Sequence, residues 1–215
     1  DVALDSAYAC GNLTSEQARQ AKELLSTRLA EAKASGWFPD DSSMVMVETD
    51  IIDVDGQAYL YWGSGLNWVN GKCFMVSLAD NMVDFLEGPA DVTPPNYFEG
   101  PVMKKKDGVY YLMYSNGKAI DHTYNVRYAT GKSPWGPFEE GVNSPILKTS
   151  ADSTTYGPGH HCVFSHNGQD YILYHRIYPQ KEDFVLRQLC LGSLDFDEDG
   201  HIKKVEPSGV VLSEL

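Results

Sequence analysis

One carboxylate of this chain lies in a sequence context that favours acid–base chemistry. Glu99 belongs to the segment NYFEGP at residues 96–101, in which the Gly-Pro pair predicts a turn at the mouth of a strand. A carboxyl group held in one place can donate or accept a proton, as general acid–base catalysis requires. A glutamate before Gly-Pro is also common in solvated loops, so the segment alone leaves both interpretations open.

A histidine pair and four cysteines offer other chemistries. His160 and His161 are adjacent, and they could bind a metal or form a hydrogen-bonded pair in a turn. The cysteines have no C-x-x-C spacing, which argues against zinc and thioredoxin-like redox sites. Buried free thiols are the simpler interpretation, and one or two disulfides are the alternative. The cysteines are Cys10, Cys73, Cys162 and Cys190.

The charge balance disfavours one large class of partners. Seventeen basic residues against 30 acidic ones give the 215-residue chain a net charge of −13, which repels phosphate backbones. We therefore expect no nucleic-acid partner. No apolar run approaches about 18 residues, so we also expect no membrane partner. A mature secreted protein would have this sequence character, and we expect a secreted or extracytoplasmic location, with the cytoplasm as the alternative.

Three hairpin signals indicate the elements that must position these side chains. Asp-Gly or Asn-Gly pairs with Gly56, Gly108 and Gly168 are each followed by an aromatic-rich strand. The glycines are 52 and 60 residues apart, close to the length of a four-stranded propeller blade with long loops. The sequence therefore predicts an all-β fold of the β-propeller type.

The N-terminal part of the chain breaks this β pattern. Thr14 and Gln17 form a capping box, apolar residues follow at helical spacing, and Gly36 marks a stop. We predict an amphipathic α-helix over residues 15–35, within an N-terminal segment 1–42 that precedes a propeller domain at 43–215. That domain has room for about three and a half blades of roughly 50 residues, whereas propellers have at least four. The helix could fill the gap, another chain could complete the ring, or the chain could be a fragment.

Several ordered segments together resemble glycoside hydrolase family 43, over roughly residues 44–207. They are TPPNYFEGPVMK at 93–104, GVYYLMYS at 108–115, SPWGPF at 133–138, GPGHH at 157–161, YHR at 174–176, RQ at 187–188 and LDFDEDG at 194–200. The resemblance implies a five-bladed β-propeller, here without its first two blades. It also implies an enzyme that removes α-L-arabinofuranosyl or β-D-xylosyl units from arabinoxylan, arabinan or xylan.

The resemblance assigns catalytic roles to carboxylates. An inverting glycosidase needs one carboxylic acid to protonate the departing oxygen and one carboxylate to activate water, roughly 6.5 to 9.5 Å away. By resemblance Glu99 is the acid. Glu48 falls where the family has a third, pKa-setting aspartate, and Asp50 is the fallback. Asp40, in GWFPDDS at residues 36–42, is the candidate base, although the same segment also matches the sequence that closes a blade.

Substrate and metal contacts complete the expected site. By resemblance His160 lies at the channel centre, where it helps to hold a calcium ion through waters, and Arg187 reaches the sugar. Trp62 could stack on a sugar face or pack in the core. We expect no organic cofactor. The alternative function is a non-catalytic, glycan-binding or subunit propeller that lacks the general base.

Overall fold

The computed structural model describes most of the predicted propeller domain. The described residues are 49–54, 56–65, 68–177 and 186–206, together with three isolated positions near the N-terminus. The chain divides into two compact units, Asp1–Val45 and Met46–Leu215. Among the described residues, no helix is long and apolar enough to cross a bilayer.

The first unit contains the three isolated positions. Arg19, Glu23 and Thr27 have helical backbone conformation, and Arg19 forms an ion pair of 2.6 Å with Glu23 one turn away. The rest of the helix predicted over residues 15–35 lies outside the described residues, so this helix stays a prediction. Cys10 and Asp40 also lie outside them.

The second unit is all-β, as the sequence predicts, and its described part contains three antiparallel sheets. Sheet 1 consists of β1 (Thr49–Val54), β2 (Gln57–Trp62), β3 (Phe74–Leu78) and β4 (Phe85–Asp91), in that order. Sheet 2 consists of β5 (Glu99–Lys106), β6 (Val109–Asn116), β7 (Asn125–Gly131) and β8 (Glu139–Glu140). Sheet 3 has the order β11-β10-β9 and consists of β9 (Gly159–His166), β10 (Gln169–Ile177) and β11 (Arg187–Ser193).

The predicted hairpin turns connect the first two strands of each sheet. Asp107 and Gly108 have φ angles of 49° and 79°, and Asn167 and Gly168 have φ angles of 49° and 78°. Two consecutive left-handed residues give the twist that two-residue hairpins require. Gly56, with φ of 83°, occupies the matching place between β1 and β2. The repeated meander is therefore confirmed.

Sheet 2 lies between the other two sheets, as alternate side chains of β6 show. Tyr110, Leu112 and Tyr114 belong to the core that is shared with sheet 1, whereas Tyr111 and Met113 belong to the core that is shared with sheet 3. A strand that is buried on both faces needs apolar residues at every position, which explains the unbroken run YYLMY. Each such side chain contributes about 1.5–3 kcal/mol through burial.

Candidate active site

Glu99 is the first residue of β5 and is almost completely buried, with 6% of its surface exposed. It pairs with Ser115 of β6, and the register then shifts before Val102. Gly100, with φ of 63°, supplies the left-handed backbone in this irregular stretch. Such irregularities redirect side chains at strand ends. The EGP sequence thus aims a buried carboxyl group away from the regular sheet.

Two side chains from other elements contact the Glu99 carboxylate. Tyr124, which directly precedes β7, donates a hydrogen bond from its hydroxyl to Oε1 of Glu99. His160 of β9 has its Nδ1 atom 3.2 Å from the Tyr124 oxygen and 3.8 Å from Oε1 of Glu99. A buried carboxyl group is costly without hydrogen-bond partners, and these contacts offset that cost.

The backbone of His160 explains how β9 reaches this position. His160 has a φ of 49°, and its N–H donates a 2.9 Å hydrogen bond to Oγ of Ser115. Since Ser115 is also the register partner of Glu99, one serine ties β6 to β9 beside the carboxylate. The His160 side chain remains 43% exposed, so a solvated ligand can approach its ring.

His175 of β10 packs against both Tyr124 and His160. Its ring stacks on Tyr124 with the centroids 5.6 Å apart, and on His160 at 6.3 Å. Burial, with smaller contributions from the Arg187 guanidinium and His160, lowers the pKa of His175 to about 3. His175 is therefore neutral at physiological pH. We call Glu99, Tyr124, His160 and His175 the Glu99 cluster.

Arg187 lies close enough to the Glu99 cluster to influence it. It is the exposed first residue of β11 and pairs with Ile177 of β10. Its charge contributes to the lowered pKa of His175. Of the side chains predicted for the site, the structure brings Glu99 and His160 together, and it places Arg187 near enough to His175 to affect its pKa.

His161 has a different environment from its neighbour. It is buried, whereas His160 is exposed, and neither His161 ring nitrogen has a hydrogen-bond partner among the described residues. Burial, with a smaller contribution from His160, lowers its pKa to about 3. The alternative of a hydrogen-bonded histidine pair in a turn is therefore wrong, because both residues lie in strand β9 and the His161 ring makes no hydrogen bond to His160.

Asp50 connects β1 to β5. Its Oδ2 atom accepts a 2.7 Å hydrogen bond from the backbone N–H of Met103, and burial raises its pKa. Met103 follows Glu99 by four residues, roughly 13 Å along an extended strand. The described contact of Asp50 is therefore a tether between sheets 1 and 2, and its catalytic role stays a prediction. Glu48 lies outside the described residues.

Trp62 packs within sheet 1. Its ring lies 6.0 Å from that of Phe74, and it contacts the small apolar cluster of Ala58, Val76 and Leu78. This packing agrees with a core role, which the sequence offered beside sugar stacking.

The three described cysteines are all free thiols, as the simpler interpretation predicts, but only two of them are buried. Cys73 and Cys190 are buried, whereas Cys162 is exposed. No disulfide therefore joins any two of these three residues.

The oxygen atoms near His160 can be compared with the ligands that the expected calcium ion would need. Calcium prefers six to eight oxygen ligands, whereas the Glu99 cluster offers the Glu99 carboxylate and the Tyr124 hydroxyl, which already bind each other. Within the described ranges, three potential metal ligands converge only at Asp197, Asp199 and His201. There Oδ1 of Asp197 accepts the backbone N–H groups of both other residues, so this cluster shapes a turn. The described donors near His160 therefore fit calcium only through bridging waters.

Two members of the Glu99 cluster were not predicted as site residues. His175 occurs in a segment that resembles the family, but the segment alone gave it no role. Tyr124 follows a loop and belongs to no recognised motif. Its contact with Glu99 joins residues that are 25 positions apart, and only the tertiary structure shows it.

The fold and the Glu99 cluster define a class of protein. It is an all-β protein of propeller-type sheets, with a buried carboxyl group where β5, β6 and β9 meet. The family model described as glycosyl hydrolases family 43 matches residues 43–202. The chain belongs to this family.

Comparisons with individual proteins agree with this assignment. The chain is 36% identical over 154 residues to the beta-D-galactofuranosidase XynD of Aspergillus niger, covering 71% of this chain and 43% of that protein. It is 30% identical to a xylosidase/arabinosidase of Bacteroides ovatus, covering 72% and 55%. The crystal structure of a thermostable family-43 glycoside hydrolase matches with a TM-score of 0.65 at 24% identity, covering 78% and 60%. The chain spans about half the length of the curated relatives that it matches.

Proposed function

We propose that this chain carries the general acid of a glycosidase that releases terminal α-L-arabinofuranosyl or β-D-xylosyl units with inversion. One observation carries the proposal: Glu99, within the family segment, is buried and held by the Tyr124 hydroxyl beside the half-exposed ring of His160. The substrate class is a neutral hemicellulose such as arabinoxylan, arabinan or xylan. An extracytoplasmic location, where such polymers occur, belongs to the same proposal.

The proposed reaction assigns one proton to Glu99. Its carboxyl group protonates the glycosidic oxygen as the bond to the anomeric carbon breaks, and a second carboxylate removes a proton from the attacking water. We propose Asp40 as this base and Glu48 as the carboxylate that tunes the acid. If Asp40 is not the general base, the alternative source of the base is a second chain that completes the propeller. Native mass spectrometry would then show a particle heavier than the 23.9 kDa of this chain.

The names of the relatives support the sugar class and widen it by one candidate. A xylosidase/arabinosidase and a beta-D-galactofuranosidase are both similar to this chain. β-D-Galactofuranose has the ring stereochemistry of α-L-arabinofuranose with an additional hydroxymethyl group. A β-D-galactofuranoside therefore belongs in any substrate panel beside the arabinofuranoside and the xyloside.

The experiment that tests the proposal follows aryl α-L-arabinofuranoside, β-D-xyloside and β-D-galactofuranoside hydrolysis by proton NMR. The proposal predicts turnover of at least one of them, with the anomer of inverted configuration appearing first. A product with retained configuration would contradict the inverting mechanism. A folded chain that turns over none of the three would favour the glycan-binding alternative.

Calcium at the channel centre is a separate part of the proposal. His160 supplies one exposed ring, and calcium there would be held through water molecules. The proposal predicts that a chelator lowers the melting temperature of the wild type but not that of His160→Gln. An equal shift in both proteins, or no shift in either, would argue against a calcium ion at His160.

A further inference from the structure

We propose that Tyr124 is a positioning residue for Glu99 and fixes the carboxyl oxygen from which the acid proton leaves. The inference rests on the proposed function, because it gives Tyr124 a part in the protonation step that is assigned to Glu99. Tyr124 touches neither the sugar nor the breaking bond in this scheme. It acts through the carboxyl group that it holds.

The hydrogen-bond pattern around Tyr124 is directional. Its hydroxyl donates to Oε1 of Glu99 and lies 3.2 Å from Nδ1 of His160. A tyrosine hydroxyl has a single proton, so a hydroxyl that donates to Glu99 can only accept from His160. The pattern therefore places a proton on Nδ1 of His160.

The Tyr124 ring is closely packed by its neighbours. It is fully buried and stacks on His175 with an interplanar angle of 20°. It also lies against the backbone of Gly159, where an added Cβ atom would lie 2.0 Å from the ring. Neither contact involves the hydroxyl. A phenylalanine at this position therefore keeps the ring packing and removes the hydroxyl that contacts Glu99 and His160.

The hydrogen bond selects one of the two carboxyl oxygens as the proton donor. While Oε1 accepts from Tyr124, the acid proton of neutral Glu99 occupies Oε2 and faces the departing group. In the reaction the glycosidic oxygen keeps the electron pair of the broken bond and takes the Oε2 proton, which leaves Glu99 as a carboxylate. Tyr124 keeps its own proton. Its hydrogen bond strengthens as negative charge develops on Glu99, because charge-assisted hydrogen bonds are stronger than neutral ones.

An interaction that strengthens in the transition state acts on kcat rather than on KM. We expect Tyr124→Phe to lower kcat by roughly 10- to 100-fold on a methyl or alkyl glycoside, whose leaving group needs a proton. KM should change little. A dinitrophenyl glycoside, whose leaving group needs no proton, should react at close to the wild-type rate.

The matched control is Tyr61→Phe. Tyr61 is equally buried, and its hydroxyl donates a 2.7 Å hydrogen bond to the carbonyl oxygen of Pro134. We expect Tyr61→Phe to have the same kcat as the wild type on both the alkyl glycoside and the dinitrophenyl glycoside. If Tyr124→Phe slows both substrates by the same factor, the hydroxyl has no part in protonation and the proposal is wrong.

Crystal structures of the two variants separate this inference from the proposed function. Glu99 should keep its single rotamer in Tyr61→Phe and should change rotamer, or occupy two, in Tyr124→Phe. The Glu99 rotamer can be observed even if the wild type hydrolyses none of the substrates. That result would contradict the proposed function and would leave the positioning role of Tyr124 to be decided by the crystal structures. An unchanged, single Glu99 rotamer in Tyr124→Phe would overturn the positioning role.

Discussion

The Glu99 cluster shows how a single glutamate acquires a specific environment. The carboxyl group is buried at a strand end, one oxygen is held by Tyr124, and His160 stands beside both groups. The glutamate itself was predictable from its segment. The tyrosine was not, because no periodicity or spacing relates residue 124 to residue 99.

Buried histidines make the stability of this chain depend on pH. His161 and His175 have pKa values of about 3 in the folded state, against 6.5 for an exposed histidine. Between these limits the unfolded chain binds more protons, so the free energy of unfolding falls as the pH falls from 6.5 towards 3. Each histidine adds a slope of about 1.4 kcal/mol per pH unit. Asp50 opposes them, because its raised pKa favours the folded state as the pH falls.

The variant His161→Phe isolates one of these contributions. It keeps a buried ring and removes the titrating group, so we expect the pH slope of the unfolding free energy to decrease by about 1.4 kcal/mol per unit between pH 6 and 4. Urea titrations at several pH values measure it. The control is His166→Phe, at an exposed position of the same strand, which should leave the slope unchanged. A slope that is equal in His161→Phe and the wild type would contradict the burial of a neutral His161.

At the scale of elements, local sequence determines the hairpins and tertiary contacts determine the site. Asp107-Gly108 and Asn167-Gly168 adopt the left-handed turn that their residue types favour, so the meander was predictable. Asp199-Gly200 is a residue pair of the same type, yet it forms only a short turn with one isolated bridge between Phe196 and Ile202. Nothing in that local sequence says whether a full strand pair will follow.

Gly159 allows β9 to approach Tyr124 closely, and a substitution at Gly159 tests whether this close approach stabilises the fold. A Cβ atom at this position would lie 2.0 Å from the Tyr124 ring, so Gly159→Ala must displace the ring or the strand. We expect a loss of about 1–3 kcal/mol in unfolding free energy, measured by urea titration.

A matched glycine distinguishes this steric effect from backbone strain. Gly168 has a φ of 78°, and a Cβ atom added there would meet no other atom within 4 Å, so Gly168→Ala costs only about 1 kcal/mol of strain. Of the two variants, Gly159→Ala alone should also reduce hydrolysis, because displacing either the Tyr124 ring or strand β9 disturbs the contacts of Glu99 with Tyr124 and His160. Hydrolysis at the wild-type rate in Gly159→Ala would show that the close approach has no bearing on the site.

At the scale of the whole molecule, the described sheets form part of a ring. Sheet 2 is covered on both faces, whereas sheets 1 and 3 carry exposed apolar side chains such as Leu86 and Leu189. In a closed propeller every sheet has two neighbours, and of the three described sheets only sheet 2 packs against a described sheet on each face. The spacing and the sequence of the turns predicted antiparallel meanders. They could not predict how the ring closes, because closure depends on contacts between sheets that are distant in sequence.

The net charge of −13 gives a prediction about binding. A strongly acidic chain repels polyanions but not a neutral polysaccharide. We expect native gels that contain arabinoxylan to retard the wild type and Glu99→Gln equally, since glutamine preserves the shape of the site. Duplex DNA at low salt should not change the mobility of either protein. Retardation by DNA, or none by any hemicellulose, would contradict the proposed substrate class.

The most direct test of the central claim is the hydrolysis of an alkyl and a dinitrophenyl α-L-arabinofuranoside by the wild type, Glu99→Gln and Glu139→Gln. Glu139 lies in β8 and is exposed, so its variant controls for the loss of one charge. If Glu99 is the acid, Glu99→Gln loses roughly 100- to 10,000-fold on the alkyl substrate and far less on the dinitrophenyl one. Glu139→Gln should match the wild type on both. Alkyl hydrolysis by Glu99→Gln at the wild-type rate would contradict the assignment of Glu99 as the proton donor.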